Sequence, residues 1–178
     1  MGKPSRNSAA AHIGMGIRTF FVSSATWGRR RLLQSDRIAE LLVDVLYHYR
    51  RENRFRLHEF VVMPDHIHVL LSVGPEISIE KAMQLIKGGF SFRASHEFGL
   101  KTQVWERGFS EVRILNSTAF ATRACYIREN PVRAGLLANA GEYRYSSAFP
   151  GYRLDPSPFT GAKAPAQETV CGTTEVVP

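Results

Sequence analysis

The chain has 178 residues, 44% of them apolar, a formal net charge of +7 and a pI near 9.8. That content suffices for the core of one compact domain and excludes a fibrous or wholly disordered protein. The basic balance points to a polyanionic partner, nucleic acid before membrane, and no apolar run approaches the ~20 residues that span a bilayer. The N-terminus carries no apolar stretch with a secretory cleavage site. Cys125 and Cys171 lack metal-ligand spacing. The expectation is a cytoplasmic protein with two reduced thiols and no membrane contact.

Residues 1–16 are rich in Gly, Ala and Ser and read as a loose arm. Arg18 to Ala25 is β-branched and aromatic, which predicts a first strand. Ser35 then precedes Ile38, Leu41, Leu42, Val45, Leu46 and Tyr49, one face of a 3.6-residue period, so a helix is expected over 36–53. Phe55 to Val62 predicts a second strand, Pro64-Asp65 a tight turn, and His66 to Val73 a third strand. Ser78 opens a second helix that runs to about Phe98, with Gly88-Gly89 marking a kink or a close approach to another backbone. Ser110 to Leu115 predicts a fourth strand. Asn116 or Ser117 caps a third helix, expected to stop near Asn130 because proline disfavours a helical predecessor and Pro131 follows.

The order β-α-β-β-α-β plus one further helix fits an α+β, ferredoxin-like antiparallel sheet. One folded domain is expected over 17–150. The stretch 151–178, rich in Pro, Gly, Thr and Ala, reads as a disordered or peripheral tail. In the ferredoxin-like plan strands one and three are central, and both early helices cover the same face of the sheet.

His66-Ile67-His68 opens the third strand. Successive strand side chains alternate faces, so the two imidazoles share one and are placed as a pair of metal ligands. On the third helix Tyr126 and Asn130 are four residues apart and share a face. Taken singly, a helical tyrosine is most often ordinary packing; beside a His-x-His strand in a basic domain it becomes a candidate nucleophile. His12, His48, His58 and His96 have no such context and read as surface or capping residues. Asp65 is assigned to shaping the turn. Trp105 and Phe109 carry two open readings, stacking on bases and core packing.

Met63-Pro64-Asp65-His66-Ile67-His68-Val69-Leu70, with Tyr126-Ile127-Arg128-Glu129-Asn130-Pro131-Val132-Arg133-Ala134-Gly135-Leu136, resembles the single-tyrosine HUH transposases, and within them the REP-associated branch. Trp27 to Arg31, Ile86-Lys87-Gly88, Val104 to Phe109 and Tyr145-Ser146-Ser147 agree, so the resemblance spans about Ile17 to Phe149. It implies a nuclease that cuts and rejoins single-stranded DNA at hairpin-flanked sites through a 5′-phosphotyrosine. Tyr126 would be the nucleophile, His66, His68 and Asn130 would hold Mg²⁺ or Mn²⁺, and single-stranded or hairpin DNA would be the partner. Arg29, Arg30, Arg31, Arg128 and Arg133 are the candidate DNA contacts. The resemblance leaves monomer and homodimer both open. A catalytically silent descendant that only binds structured DNA is the alternative, opposed by the intact His66, His68, Tyr126 and Asn130. A histidine-triad hydrolase would need a third alternating histidine, and residue 70 is Leu.

Overall fold

The computed structural model describes residues 16–159. Four strands form one antiparallel sheet: β1 (Arg18–Ala25), β2 (Arg56–Met63), β3 (His66–Val73) and β4 (Ser110–Ile114), in the spatial order β2-β3-β1-β4. Helix α1 (Asp36–Arg51) joins β1 to β2, α2 (Ile79–Phe98) joins β3 to β4, and α3 (Ser117–Arg133) follows β4. This is the expected α+β plan, with β3 and β1 at the centre.

Alternation along the strands sorts the two faces. Val22, Phe60, Val62, Ile67, Val69, Leu71 and Val73 join Leu42, Leu46, Met83, Ile86 and Phe90 in the larger core, beneath α1 and α2. Phe21, Val61, Met63 and Leu70 face the other way and meet Ala124 and Ile127 of α3. The histidine face of β3 is therefore the face that α3 covers. Gly89 marks a close approach, though to a side chain: an added Cβ would lie 2.8 Å from the Tyr49 ring of α1.

β2 contains a bulge between Leu57 and Glu59. The extra residue turns both His58 and Glu59 toward α3, and both are buried. His58, expected as a surface or capping residue, is buried, bonds Ser72 Oγ (2.7 Å) and the Asp155 carbonyl (3.0 Å), and packs edge-on against Phe120 of α3.

Helix α3 corrects the expected stop near Asn130. It continues through Pro131 to Arg133, where Gly135, at φ 67°, follows. Proline forgoes the bond to the Ile127 carbonyl, but the turn after it is closed by the N–H groups of Ala134 and Leu136, which bond the Asn130 and Pro131 carbonyls.

The expected tail boundary also moves. Residues 151–159 pack on the domain: Tyr152 stacks on Tyr47, Asp155 accepts two hydrogen bonds from Arg50 (2.7 and 2.9 Å) and one from the Leu57 N–H (2.8 Å), and Phe159 meets Phe120. The carboxylate explains the docking, since it fixes the segment to groups a hundred residues earlier. Tyr145 anchors the preceding segment, its carbonyl accepting from the Val62 N–H (2.8 Å) on the edge of β2. Most of the arm 1–16, the tail beyond 159 and Cys171 lie outside the described residues. Cys125 is not a free thiol, against expectation.

Candidate active site

His66 and His68 share one face of β3, ring centroids 4.7 Å apart, and α3 lays Tyr126 against His68, 5.3 Å centroid to centroid. Phe21 of β1 completes the packing, stacked on His68 at 5.3 Å and edge-on to Tyr126 at 5.8 Å. The buried rings of Phe21 and His68 fix the height at which the tyrosine helix rides over the sheet. A cavity of about 570 Å³ opens here, lined by Ser23, Arg29, His66, His68, Tyr126, Asn130 and Arg133. All four residues predicted for metal and nucleophile converge on it.

The two histidines are tuned differently. His66 Nδ1 is 2.6 Å from the Asp65 carboxylate. Burial would raise Asp65, but the hydrogen bond with His66 and the nearby His66 and Arg29 charges outweigh it and hold the carboxyl below its usual value. An ionised acceptor fixes the Nδ1–H tautomer of His66 and leaves Nε2 as the free lone pair. Asp65 thus orients the His66 ring besides shaping the turn. His68 is 6% exposed. Burial first, then His66, Arg29 and Arg123, push its pKa down to about 3, so the ring is neutral at physiological pH. Its Nδ1 is buried with no hydrogen-bond partner.

This donor set fits a divalent cation. Two imidazoles, one of them with an unsatisfied buried nitrogen, sit beside the Asn130 amide, which is itself 8% exposed. Among the described residues no three His, Cys, Asp or Glu side chains are placed to hold a metal ion by themselves, so the third donor would be the Asn130 oxygen.

A family model for IS200-like transposases matches residues 22–130, more than half of the chain. The chain belongs to the IS200-like transposase family. A REP-associated tyrosine transposase of Escherichia coli (strain K12) is 25% identical over 139 residues, covering 73% of this chain and 80% of the relative. The solved structure of a REP-associated tyrosine transposase bound to a REP hairpin shares the fold at a TM-score of 0.62, with 22% identity and coverage of 90% of this chain and 93% of that one. A putative transposase from Deinococcus radiodurans R1 has a TM-score of 0.51 and 24% identity, over 72% of this chain and 97% of its own. Tyrosine transposases are enzymes, and so is this family member.

The five predicted arginines of this transposase have separate fates. Arg29 and Arg133 line the cavity, Arg29 at 3.5 Å from Asp65 and Arg133 at 5.6 Å over the Tyr126 ring. Arg30 is held by the loop itself, bonding the Trp27 carbonyl (3.0 Å), Thr102 Oγ1 (3.1 Å) and the Gln103 carbonyl (2.5 Å). Arg31 is exposed. Arg128 pairs with Glu59 of β2 and does not line the cavity. Arg123 was missed: its guanidinium lies 4.9 Å over Phe21. The signal was available, since residues 123, 126, 130 and 133 share one helical face. Trp105 is 7% exposed and donates to the Lys87 carbonyl (3.1 Å), and Phe109 packs on the larger core, so both belong to packing.

Among the described residues no helix is long and apolar enough to cross a membrane.

Proposed function

We propose that this transposase cleaves and rejoins single-stranded DNA beside a hairpin, through a 5′-phosphotyrosine on Tyr126. The observation that carries the reading is Tyr126 packed 5.3 Å from His68 of its own chain, in one cavity with His66, Asn130, Arg29 and Arg133. The REP hairpin held by the structural relative supports hairpin-bearing DNA as substrate.

His66, His68 and Asn130 would hold Mg²⁺ or Mn²⁺, which supplies Lewis-acid polarisation of a non-bridging phosphate oxygen. Arg29 and Arg133 bind the same phosphate and stabilise the charge that builds on it during displacement. The Tyr126 oxygen attacks phosphorus and loses its proton. The bond from phosphorus to the 3′-oxygen breaks, and that oxygen takes up a proton to leave as a hydroxyl. A 3′-hydroxyl can later attack the phosphotyrosine in reverse, so the strand is resealed without a nucleotide cofactor. Because one chain supplies nucleophile and donors together, a single copy suffices for cleavage.

The test is incubation with a hairpin-bearing single-stranded oligonucleotide and Mn²⁺ or Mg²⁺. Wild type should form a covalent protein–DNA adduct and Tyr126→Phe none. An adduct formed equally by both proteins would remove Tyr126 from the nucleophile role. Tight, salt-sensitive binding without any adduct would favour the binding-only descendant.

A further inference from the structure

The loop between β1 and α1 presents an indole to solvent. Trp27 is 42% exposed, and among the described residues no aromatic ring or cation covers it. Its backbone is nonetheless fixed on both sides. The Trp27 N–H donates to the Val104 carbonyl (2.8 Å), and the Trp27 carbonyl accepts from Arg30 N–H (3.3 Å) and Arg30 Nε (3.0 Å). Gly28 N–H donates to Glu106 (2.7 Å), and Thr26 N–H donates to the carbonyl of Asp65, the residue that orients His66 (2.9 Å).

The turn is also strained. Gly28 and Arg29 both lie in the left-handed region, at φ 61° and 53°. A non-glycine residue held there costs of the order of a kcal/mol, and such strain persists where the surroundings over-determine it. Its consequence is visible: Arg29 is delivered to the cavity beside Asp65, two residues from the exposed indole. Arg31, also exposed, follows. A rigid aromatic face and two cations on one short loop, adjoining a site for a phosphodiester, is the pairing that single-strand binders use. Cations follow the backbone, and the ring takes a base. Rigidity matters because a preformed platform loses little entropy on binding.

Resting on the single-stranded-DNA reading above, we propose that Trp27 is a base-stacking platform, which holds one unpaired nucleobase next to the phosphate contacted by Arg29. The stack uses the π-face common to all bases, so it orders the strand without reading its sequence.

Only two tryptophans occur, Trp27 and the buried Trp105, so intrinsic emission reports the stack directly. Metal-free protein is titrated with oligothymidylate of about a dozen nucleotides and with an abasic strand of equal length. Oligothymidylate should quench wild type and leave Trp27→Leu unquenched. Affinity should fall by about five- to a hundredfold in the variant, with the salt slope unchanged because the phosphate contacts remain. Trp27→Phe should recover part of the affinity, and the abasic strand should bind both proteins alike. Equal affinity of wild type and Trp27→Leu for oligothymidylate, or quenching by the abasic strand, would overturn the platform alone. Absence of salt-dependent binding to either strand would overturn the single-strand reading and the platform with it.

Discussion

Arg128 offers the sharpest separation between a DNA contact and a structural tie. It lies two residues beyond Tyr126 and pairs with Glu59, which is 3% exposed on the bulged part of β2. Glu59 also accepts from Ser147 Oγ at 2.5 Å. One buried carboxylate therefore holds the tyrosine helix, the sheet and the C-terminal segment together. Removing one partner of a fully buried pair costs about 3–5 kcal/mol, because the other charge is stranded, whereas an exposed pair is worth ~0–1 kcal/mol. The Arg128 side chain is half exposed, so water reaches the vacated place and the cost falls between these limits. Arg128→Met should lower stability by about 1.5–3 kcal/mol in urea unfolding at neutral pH. A double-mutant cycle with Glu59→Gln should return a coupling of about 1–2 kcal/mol. The competing role predicts the reverse pattern. A phosphate-contacting arginine would leave stability within about 0.5 kcal/mol of wild type, while its loss would cut the salt slope of DNA binding by about one. That pattern would refute the tie.

Four further substitutions probe three separate parts of the molecule. Gly88 is exposed with open space around it, so Gly88→Ala should stabilise α2 by about 0.5–1 kcal/mol. Gly89→Ala must displace the Tyr49 ring and should destabilise by about 1–3 kcal/mol; thermal melts that rank the two variants the other way would contradict the packing of α1 on α2. Burial holds His58 below its ordinary pKa, against the hydrogen bond to Asp155 and the Asp155 charge. Above about pH 6.5 both folded and unfolded His58 are neutral and stability is unaffected. Below it the unfolded chain binds a proton that the folded chain refuses. Stability then falls by up to ~1.4 kcal/mol per pH unit from this group. His58→Gln should flatten that acid limb of the urea midpoint, and parallel limbs would show that His58 titrates freely. Asp65→Ala frees the His66 ring and should weaken Mn²⁺ binding by about ten- to a hundredfold in calorimetric titration, whereas unchanged affinity would separate Asp65 from the proposed metal site.

Periodicity carried most of the architecture. The two-residue repeat of β3 placed both histidines on one face, and the four-residue step from Tyr126 to Asn130 placed those two on another. Both are short-range relations, and short-range relations survive folding. What escaped depended on single residues acting over long separations. The β2 bulge adds one residue without any local signature, yet it turns His58 and Glu59 to the same side and supplies the partner of Arg128. Asp155 docks a segment whose composition suggests disorder, because its contacts are Arg50 and Leu57.

Pro131 shows how one misjudged boundary propagates into function. A helix ending at Asn130 would leave Arg133 on a turn of unspecified direction. Helical geometry through Pro131 puts Arg133 seven residues from Tyr126, two turns along the same face, and its guanidinium comes to lie over the phenol ring. Arg128, at a different angle on the same helix, is carried to the bulge and bound there. The same helix thus sends one arginine to the cavity and the other to the scaffold. Proline removes one bond, the one its N–H would have made to the Ile127 carbonyl, and the turn that follows is held by the N–H groups of Ala134 and Leu136 on the Asn130 and Pro131 carbonyls.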